Sequence, residues 1–272
     1  MNEITSRDNQ HLKFARSVRD GRESEAIFIE GTRLVEEAIR SNVAITKCFV
    51  THSFEESDRG GELVRQLEAS ETEIFYVPDA VFKTIADTEN PQGIIAIAKR
   101  HESSSETIEK GLEKNVLKLV VLLHQINNPS NLGAVLRTAE AAGVCGVVTT
   151  PGSSDPFLPK SLRASMGSAF RLPVWENVDI ERALDWASKT GLKTTALDIG
   201  RGSSIYEADW RQPRLLIIGS EAHGLEKDLL TKTVEVLNIP MASQVESLNL
   251  SVSCGIALFE ARRQNNLSTI SV

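Results

Sequence analysis

Residues 117–144 read LKLVVLLHQINNPSNLGAVLRTAEAAGV, an apolar run followed by a polar loop and a segment with helical periodicity. The run is apolar on both faces, which is typical of a parallel strand covered by helices on each side. The later segment has the i, i+3, i+4, i+7 spacing of an amphipathic helix, at Leu132, Val135, Leu136 and Ala139. We therefore predict a strand, a loop and a helix, the repeating unit of an open parallel sheet.

The same alternation extends in both directions from this unit. Four further β-rich runs follow it: GVVTT, KTTALDI, RLLIIGS and VEVLNIP. Three shorter runs with intervening helical segments precede it: ITKCFVT, EIFYVP and GIIAIAK. We predict a small α/β domain over residues 1–100, a polar linker rich in Ser, Glu and Lys over 101–116, and a larger α/β domain over 117–272.

Composition restricts the class of protein. Of the 272 residues, 41% are apolar and 25% charged, the balance of a soluble globular protein, and no stretch is apolar enough to span a membrane, so a cytoplasmic protein is expected. The three cysteines lack CxxC spacing and the five histidines are dispersed, so we expect no disulfide framework and no metal site. A GxGxxG loop, a Walker lysine, a GxSxG elbow and an HExxH helix are also missing.

The net charge of −7 argues against extensive coating of nucleic acid. Residues 1–110 nevertheless contain a local basic patch that consists of Arg7, Lys13, Arg16, Arg19 and Arg22. Its charge is compatible with a solvated helix face or with a contact to a polyanion.

Three loops that follow apolar strands are rich in Gly, Ser and Asn: NNPSNLG, GSEAHG and PMASQVESLN. Ligands of parallel sheets bind beyond the carboxyl ends of the strands, where such loops lie. Gly133 costs about 1 kcal/mol inside a helix, which favours a close approach by a ligand or another chain. Arg137, four residues later, either faces a ligand or pairs with Glu140 at the surface. His223 is either a solvated side chain or an acid–base group.

Taken together, NPSNLGAVLRTAEAAGV, LIIGSEAHGL and IPMASQVESLNLSVS resemble the three motifs of the SpoU (TrmH) family of RNA ribose 2′-O-methyltransferases, in the SPOUT superfamily. FIEGTRLVEEAI and NPQGIIAIAKR resemble the substrate-binding domain of the ribosomal-RNA branch of that family. The resemblance implies a C-terminal α/β domain with a deep trefoil knot, a smaller N-terminal α/β domain that binds RNA, and a homodimer with its site near the subunit interface.

The resemblance also implies roles for individual residues. Contacts to S-adenosylmethionine, largely through the backbone, are expected from Gly219, Ile239 and Leu248, with residues 195–197 nearby. The catalytic and site-shaping positions are Asn131, Arg137, Glu221, Ser247 and Asn249. The candidate RNA contacts are Arg33, Arg7 and Lys13.

The expected reaction is an in-line transfer of a methyl group from a sulfonium to a ribose hydroxyl, and it needs no metal. Because a guanidinium is nearly always protonated, we expect Arg137 to hold phosphate and the developing alkoxide, while Glu221 or an RNA phosphate takes the proton. The front domain favours 23S ribosomal RNA over transfer RNA, and a non-catalytic RNA-binding or assembly factor is the alternative. The sequence does not identify the target nucleotide or decide between a housekeeping and an antibiotic-resistance role.

Overall fold

The computed structural model describes residues 2–101, 103–220, 224–242 and 247–265. The chain forms two compact units: unit 1 comprises residues 1–101 and 157–170, and unit 2 comprises residues 102–156 and 171–272. The structure therefore differs from the expected domain bounds at one place, because residues 157–170 lie within the predicted second domain of the sequence but pack in unit 1.

The strands are β1 Asn2–Glu3, β2 Ala26–Glu30, β3 Ile45–Val50, β4 Glu73–Tyr76, β5 Ile94–Lys99, β6 Leu119–Leu123, β7 Gly146–Thr149, β8 Val174–Trp175, β9 Lys193–Leu197, β10 Ser203–Ser204, β11 Arg214–Ile218 and β12 Glu235–Asn238. The helices are α1 Gln10–Arg19, α2 Thr32–Arg40, α3 His52–Glu55, α4 Asp58–Ala69, α5 Asp79–Phe82, α6 Ser105–Lys114, α7 Pro129–Ala142, α8 Pro159–Ser165, α9 Ile180–Lys189, α10 Lys227–Lys232 and α11 Leu250–Gln264, with a short 3₁₀ turn over Ser168–Phe170.

Unit 1 contains a mixed five-stranded sheet in the order β1-β4-β3-β5-β2. Strand β5 runs antiparallel to both of its neighbours, β3 and β2. Aromatic side chains from successive strands, Phe28, Phe49 and Phe75, form the centre of its core. Helix α8 packs against β2, the strand at the edge of this sheet. A helix in this position covers strand hydrogen-bonding groups that would otherwise be open to pairing with another chain.

Unit 2 contains a seven-stranded sheet in the order β10-β12-β9-β11-β6-β7-β8, and each of its strand pairs is parallel. Every residue of β6 and β11 is buried, as their apolar sequences predict. Ile218 at the end of β11 is in register with Leu123 of β6 and with Leu197 of β9. The carboxyl ends of the central strands therefore meet at one edge of the sheet.

The predicted helix after β6 is confirmed. It is α7, and the Asn128 side chain caps it by accepting a hydrogen bond from the backbone N–H of Ser130 at 2.9 Å. It ends at Gly143, whose left-handed φ of 83° suits a residue without a Cβ. The segment 101–116, which was predicted as a linker, is largely helical. Its residues 105–114 form α6, and Ile108 and Leu112 of this helix are buried in the core of unit 2. Two apolar side chains a turn apart are enough to anchor a short helix whose other residues are polar.

A buried ionic network joins the strand starts at the opposite edge of the unit 2 sheet. The Arg214 guanidinium, which is 1% exposed, donates to Thr195 Oγ1 at 2.7 Å and to the Glu235 carboxylate. Lys193 Nζ donates to the other oxygen of Glu235 at 2.8 Å. Burial opposes ionisation of Glu235, but hydrogen bonds from Lys193 and Arg214 outweigh it and leave the pKa of this carboxyl below its usual range.

Candidate functional site

A cavity of about 330 Å³ lies in unit 2 beyond the carboxyl ends of β9, β11 and β12. This is the edge of a parallel sheet at which ligands bind, and the volume falls in the range of about 300 to 1,000 Å³ that is usual for small-molecule sites. Three strand ends and the start of α11 form its wall. The residues that line it include Leu197, Asp198, Gly219, Ile239, Ser247, Leu248 and Asn249.

All three residues that the sequence predicts to contact the methyl donor line this cavity. Gly219 follows β11, Ile239 follows β12, and Leu248 lies just before α11. They are distant in sequence and come together because β11 and β12 both flank β9. Leu197, from the predicted 195–197 segment, lies on the same wall.

Gly219 is at a position where no other residue fits. A Cβ there would lie 2.3 Å from the carbonyl oxygen of Gly224, 2.4 Å from its carbonyl carbon and 2.8 Å from Leu225 Cδ2. The Gly224 N–H donates to the Ser220 carbonyl at 2.8 Å, which closes the turn after β11. Gly224 therefore lies directly against the strand end, and Gly219 presents backbone without a side chain to the cavity.

Asn249 connects the cavity to helix α7. Its Oδ1 accepts hydrogen bonds from the Ser251 N–H at 2.9 Å and the Ser251 hydroxyl at 2.6 Å, which caps α11. Its Nδ2 donates to Asn131 Oδ1 in the first turn of α7 at 3.3 Å. Ser247 lines the cavity two residues earlier. Three of the five predicted catalytic and site-shaping residues, Asn131, Ser247 and Asn249, thus lie together at the start of α11.

Arg137 is exposed on α7 and is not among the residues that line the cavity. Within the part of the chain that the structure describes, its guanidinium has no hydrogen-bond or ion-pair partner. The surface pair with Glu140 is wrong, because Glu140 instead binds Arg171 with both oxygens, at 2.5 Å to Nε and 3.0 Å to Nη2. The charge of Arg137 is therefore available to an anion from outside this chain.

Two other expectations have different outcomes. Gly133 is buried on α7, and the close approach of a ligand or another chain that the sequence favours there stays a prediction. Glu221 and His223 lie outside the described residues, as does the segment 243–246 of the third motif.

Two residues at the strand ends were missed by the sequence analysis. Asp198 directly follows β9, lines the cavity, and has a side chain only 15% exposed. His124 directly follows β6, and its Nδ1 lies 3.1 Å from the Thr150 hydroxyl. Burial lowers the pKa of His124, and the carboxylate of Glu226 opposes this only in part. Both could have been found from their position, since each is a titratable residue at the carboxyl end of a predicted strand.

In unit 1, the three predicted RNA contacts Arg7, Lys13 and Arg33 are exposed. The rest of the basic patch is occupied by internal contacts. Arg16 Nη2 donates to the backbone carbonyl of Arg7 at 2.8 Å, and Arg19 Nη1 donates to the carbonyl of Ala86 at 3.1 Å. These two arginines hold α1 against neighbouring backbone, so the patch is smaller than its sequence suggests.

The described ranges omit residues 1, 102, 221–223, 243–246 and 266–272. They contain no helix that is both long and apolar enough to cross a membrane. They also contain no cluster of three or more His, Cys, Asp or Glu side chains that could hold a metal ion.

Comparison with known proteins gives matches over both units. Residues 118–259 match the model of the SpoU rRNA methylase family, and residues 28–104 match that of the RNA 2′-O ribose methyltransferase substrate-binding domain. The chain is 32% identical over 96% of its length to an uncharacterized tRNA/rRNA methyltransferase of Synechocystis, covering 93% of that protein. It is 29% identical over 96% of its length to the 23S rRNA (guanosine(2553)-2′-O)-methyltransferase RlmP of Bacillus subtilis, covering 100% of that protein.

Among solved structures, the AdoMet-bound rRNA methyltransferase of Sinorhizobium meliloti superposes with a TM-score of 0.85 at 28% identity, over 98% of this chain and 99% of that one. The predicted mixed α/β fold with a small N-terminal domain is confirmed by this likeness.

Proposed function

The chain belongs to the SpoU rRNA methylase family, and on that premise we propose that it methylates a ribose 2′-hydroxyl of 23S ribosomal RNA. The protein is an S-adenosylmethionine-dependent RNA methyltransferase of the class that acts on transfer or ribosomal RNA. The observation that carries the proposal is the cavity at the carboxyl ends of β9, β11 and β12, where the predicted donor contacts Gly219, Ile239 and Leu248 converge.

The residues around the cavity fit the methyl donor. The bare backbone at Gly219 offers an N–H and a carbonyl to an adenine-like edge without side-chain obstruction. The Asp198 carboxylate suits ribose hydroxyls or a cationic amino group. When bound, S-adenosylmethionine supplies an electrophilic methyl group, and the leaving sulfur becomes neutral, so the reaction needs no metal to stabilise the leaving group.

We propose that this chain's own residues orient the acceptor and stabilise its charge. Asn131 and Asn249, joined by their side chains, hold the start of α7 and the start of α11 together at the cavity. The exposed Arg137 binds an RNA phosphate and the incipient alkoxide by its forked donors. Glu221 or a phosphate takes the hydroxyl proton, since a guanidinium is a poor base.

A homodimer is part of the proposal, and α11 supports it. Val252 and Phe259 lie two turns apart on this helix and are each 49% exposed, with the partly exposed Ile256 between them. An apolar stripe at i, i+4, i+7 is typical of a helix that packs against another helix. Because Arg137 does not line the cavity of its own chain, we propose that it completes the site of the second copy.

The proposal also includes the knot, the RNA contacts of unit 1 and the choice of substrate. The deep trefoil knot stays a prediction, and so do the RNA contacts of Arg7, Lys13 and Arg33. The choice of 23S ribosomal RNA is supported by the family model matched over residues 28–104 and by the likeness to RlmP. A ribosomal substrate also supports the expected cytoplasmic location.

The decisive experiment is to map ribose methylation in ribosomal RNA from cells with and without the protein. We expect one 23S position to lose its 2′-O-methyl group and to regain it when the purified protein and S-adenosylmethionine are added to the unmodified RNA. Loss of a methyl group from transfer RNA only would reassign the substrate. Normal methylation everywhere, with no heat of S-adenosylmethionine binding by calorimetry, would favour a non-catalytic RNA-binding factor.

The role of Arg137 has a separate test. Arg137→Lys keeps the charge but removes the forked guanidinium, so we expect turnover to fall strongly while S-adenosylmethionine binds as before. Near-normal turnover with bound RNA would show that a point charge is sufficient.

A further inference from the structure

Helix α8 lies along the edge strand of unit 1 and carries charges that the proposed function does not use. At one end of the segment, the Arg100 guanidinium is 4.8 Å from the ring centroid of Phe157. Arg100 directly follows Lys99, which is in register with the first residue of β2. At the other end, Arg163 forms an ion pair with Asp87 at 2.7 Å. The Asp87 N–H in turn donates to Glu30, the last residue of β2, so the segment from Phe157 to Arg163 has contacts near both ends of the strand.

The outward face of α8 is basic. Its buried residues Ser161, Leu162 and Ser165 face the unit. Lys160 and Arg163 are three residues apart and so share the opposite face, where Lys160 is exposed and the Arg163 side chain is 37% exposed. Residues 157–170 contain these two cations and no carboxylate, whereas residues 1–101 contain 13 basic and 18 acidic side chains. The segment therefore adds positive charge to a unit that is otherwise acidic.

The loop that Arg163 contacts is also fixed to the start of α2. The buried Glu30 carboxylate accepts the Asp87 N–H at 2.7 Å, and Gln92 Oε1 accepts the Thr32 N–H at 2.8 Å. Arg33 follows directly and is exposed, with no ion-pair partner among the described residues. The same loop, residues 87–92, is thus held on one side by α8 and on the other by the first turn of α2.

We propose that Lys160 and Arg163 of α8 extend the RNA contact of Arg33 into one phosphate-binding surface around loop 87–92. The inference rests on the proposed RNA methyltransferase function and adds to it two residues that lie outside the substrate-binding segment of the sequence. Arginine binds phosphate with two donors and lysine as a point charge, and neither reads the base, so this surface positions the RNA without selecting its sequence. In an acidic unit, such a local field confines the RNA to one path.

The first test is the salt dependence of binding to an in vitro transcript of 23S ribosomal RNA. Each lost phosphate contact reduces the steepness of log affinity against log salt by about 0.7 to 0.9. Between 50 and 200 mM salt, the factor by which Lys160→Gln loses affinity should therefore be roughly one third of the factor for the wild type. Arg65→Gln is the matched control, because Arg65 is exposed on α4 and paired only with Glu62 in the described chain. Equal slopes for wild type and Lys160→Gln would overturn the inference.

The second test asks whether RNA binding becomes stronger when the carboxylate that pairs with Arg163 is removed. Asp87→Asn frees Arg163 from its ion pair, so RNA should bind more tightly, and the slope of log affinity against log salt should steepen by about 0.7 to 0.9. The gain should vanish in the Arg163→Gln background, and Glu62→Gln should give no comparable gain. If Arg163 only holds the loop, Asp87→Asn will leave binding unchanged or weaken it, and the inference fails.

Failure of this inference is distinguishable from failure of the proposed function. A wild-type protein that methylates the transcript while the Lys160 and Asp87 variants bind with its slope and affinity would overturn the α8 surface only. A wild-type protein that neither binds nor methylates any RNA would overturn both.

Discussion

Gly219→Ala is the substitution that most directly tests how the cavity is built. The new methyl carbon would lie 2.3 Å from the Gly224 carbonyl oxygen, so the Gly224 backbone must shift by about 0.7 Å or more to restore even a 3.0 Å contact. Because the obstacle is backbone and not the end of a flexible side chain, the turn after β11 must move. Overpacking of this kind costs about 2 kcal/mol, which corresponds to a fall in Tm of about 4 to 8 °C for a unit of this size.

The same movement displaces the backbone that lines the cavity, so S-adenosylmethionine should bind at least about tenfold more weakly, a loss of about 1.4 kcal/mol. The assays are thermal unfolding and titration calorimetry at 20 °C, where the variant is still folded. Gly111→Ala is the matched control in the same unit: its Cβ would lie 3.2 Å from the Cys145 carbonyl oxygen, far in sequence from the cavity wall. We expect Gly111→Ala to bind the donor normally. If the Gly219→Ala variant has wild-type stability and wild-type donor affinity, the Gly219 backbone does not shape the cavity in this way.

The remaining predictions concern the subunit arrangement and pH. If Arg137 completes the site of a second copy, Arg137→Ala and Gly219→Ala subunits should complement each other when they are mixed and allowed to exchange. At an S-adenosylmethionine concentration well below the wild-type Kd, where the Gly219→Ala cavity is scarcely loaded, the mixture should recover roughly a quarter of wild-type methylation, because half of the dimers are mixed and each has one intact site; no recovery would mean that each chain completes its own site. Placing glutamate at Val252 and Phe259 should give a monomer in sedimentation experiments, since charges would lie on the apolar stripe of α11, and an unchanged dimer mass would contradict the proposed interface. The lowered pKa of Glu235 contributes stability that is present above the ordinary pKa of a glutamate and is lost as the pH falls through its folded value. The free energy of unfolding of the wild type, measured in urea, should therefore fall below about pH 4, and Glu235→Gln should make it depend less on pH. Parallel pH profiles for the two proteins would argue against the ionic network.

Local patterns in the sequence were sufficient for the elements that surround the site. The uninterrupted apolar runs identified β6 and β11 as buried parallel strands, and the spacing of Leu132, Val135 and Leu136 identified α7. Gly219, Ile239 and Leu248 were placed at the cavity by the resemblance of their motifs; Gly219 and Ile239 each follow a strand that the pattern had predicted, and Leu248 lies just before α11. These features depend on residues that are close in sequence and on the general rule for ligand sites in parallel sheets.

Other predictions failed where the outcome depends on residues distant in sequence. One of the two alternatives for Arg137 was a pair with Glu140 along the same helix, but Glu140 binds Arg171, 31 residues away. Residues 105–114 were expected in a linker because so few are apolar, yet Ile108 and Leu112 find the unit 2 core. In both cases the contacting residues are distant in sequence and come together only in the folded protein. The local sequence pattern therefore does not indicate them.

The sequence by itself thus determined eight of the twelve described strands, the helix periodicities and the three polar loops, because hydrophobic spacing and turn residues act over a few positions of the chain. Three features were decided only by the tertiary structure. Residues 157–170 pack in unit 1 beside β2, Gly133 is buried, and Arg137 does not line the cavity. These depend on which surfaces bury each other and on which charges remain unpaired when the packing is complete. Long-range burial and charge pairing are properties of the folded chain as a whole, so they could not be read from the spacing of residues within one segment.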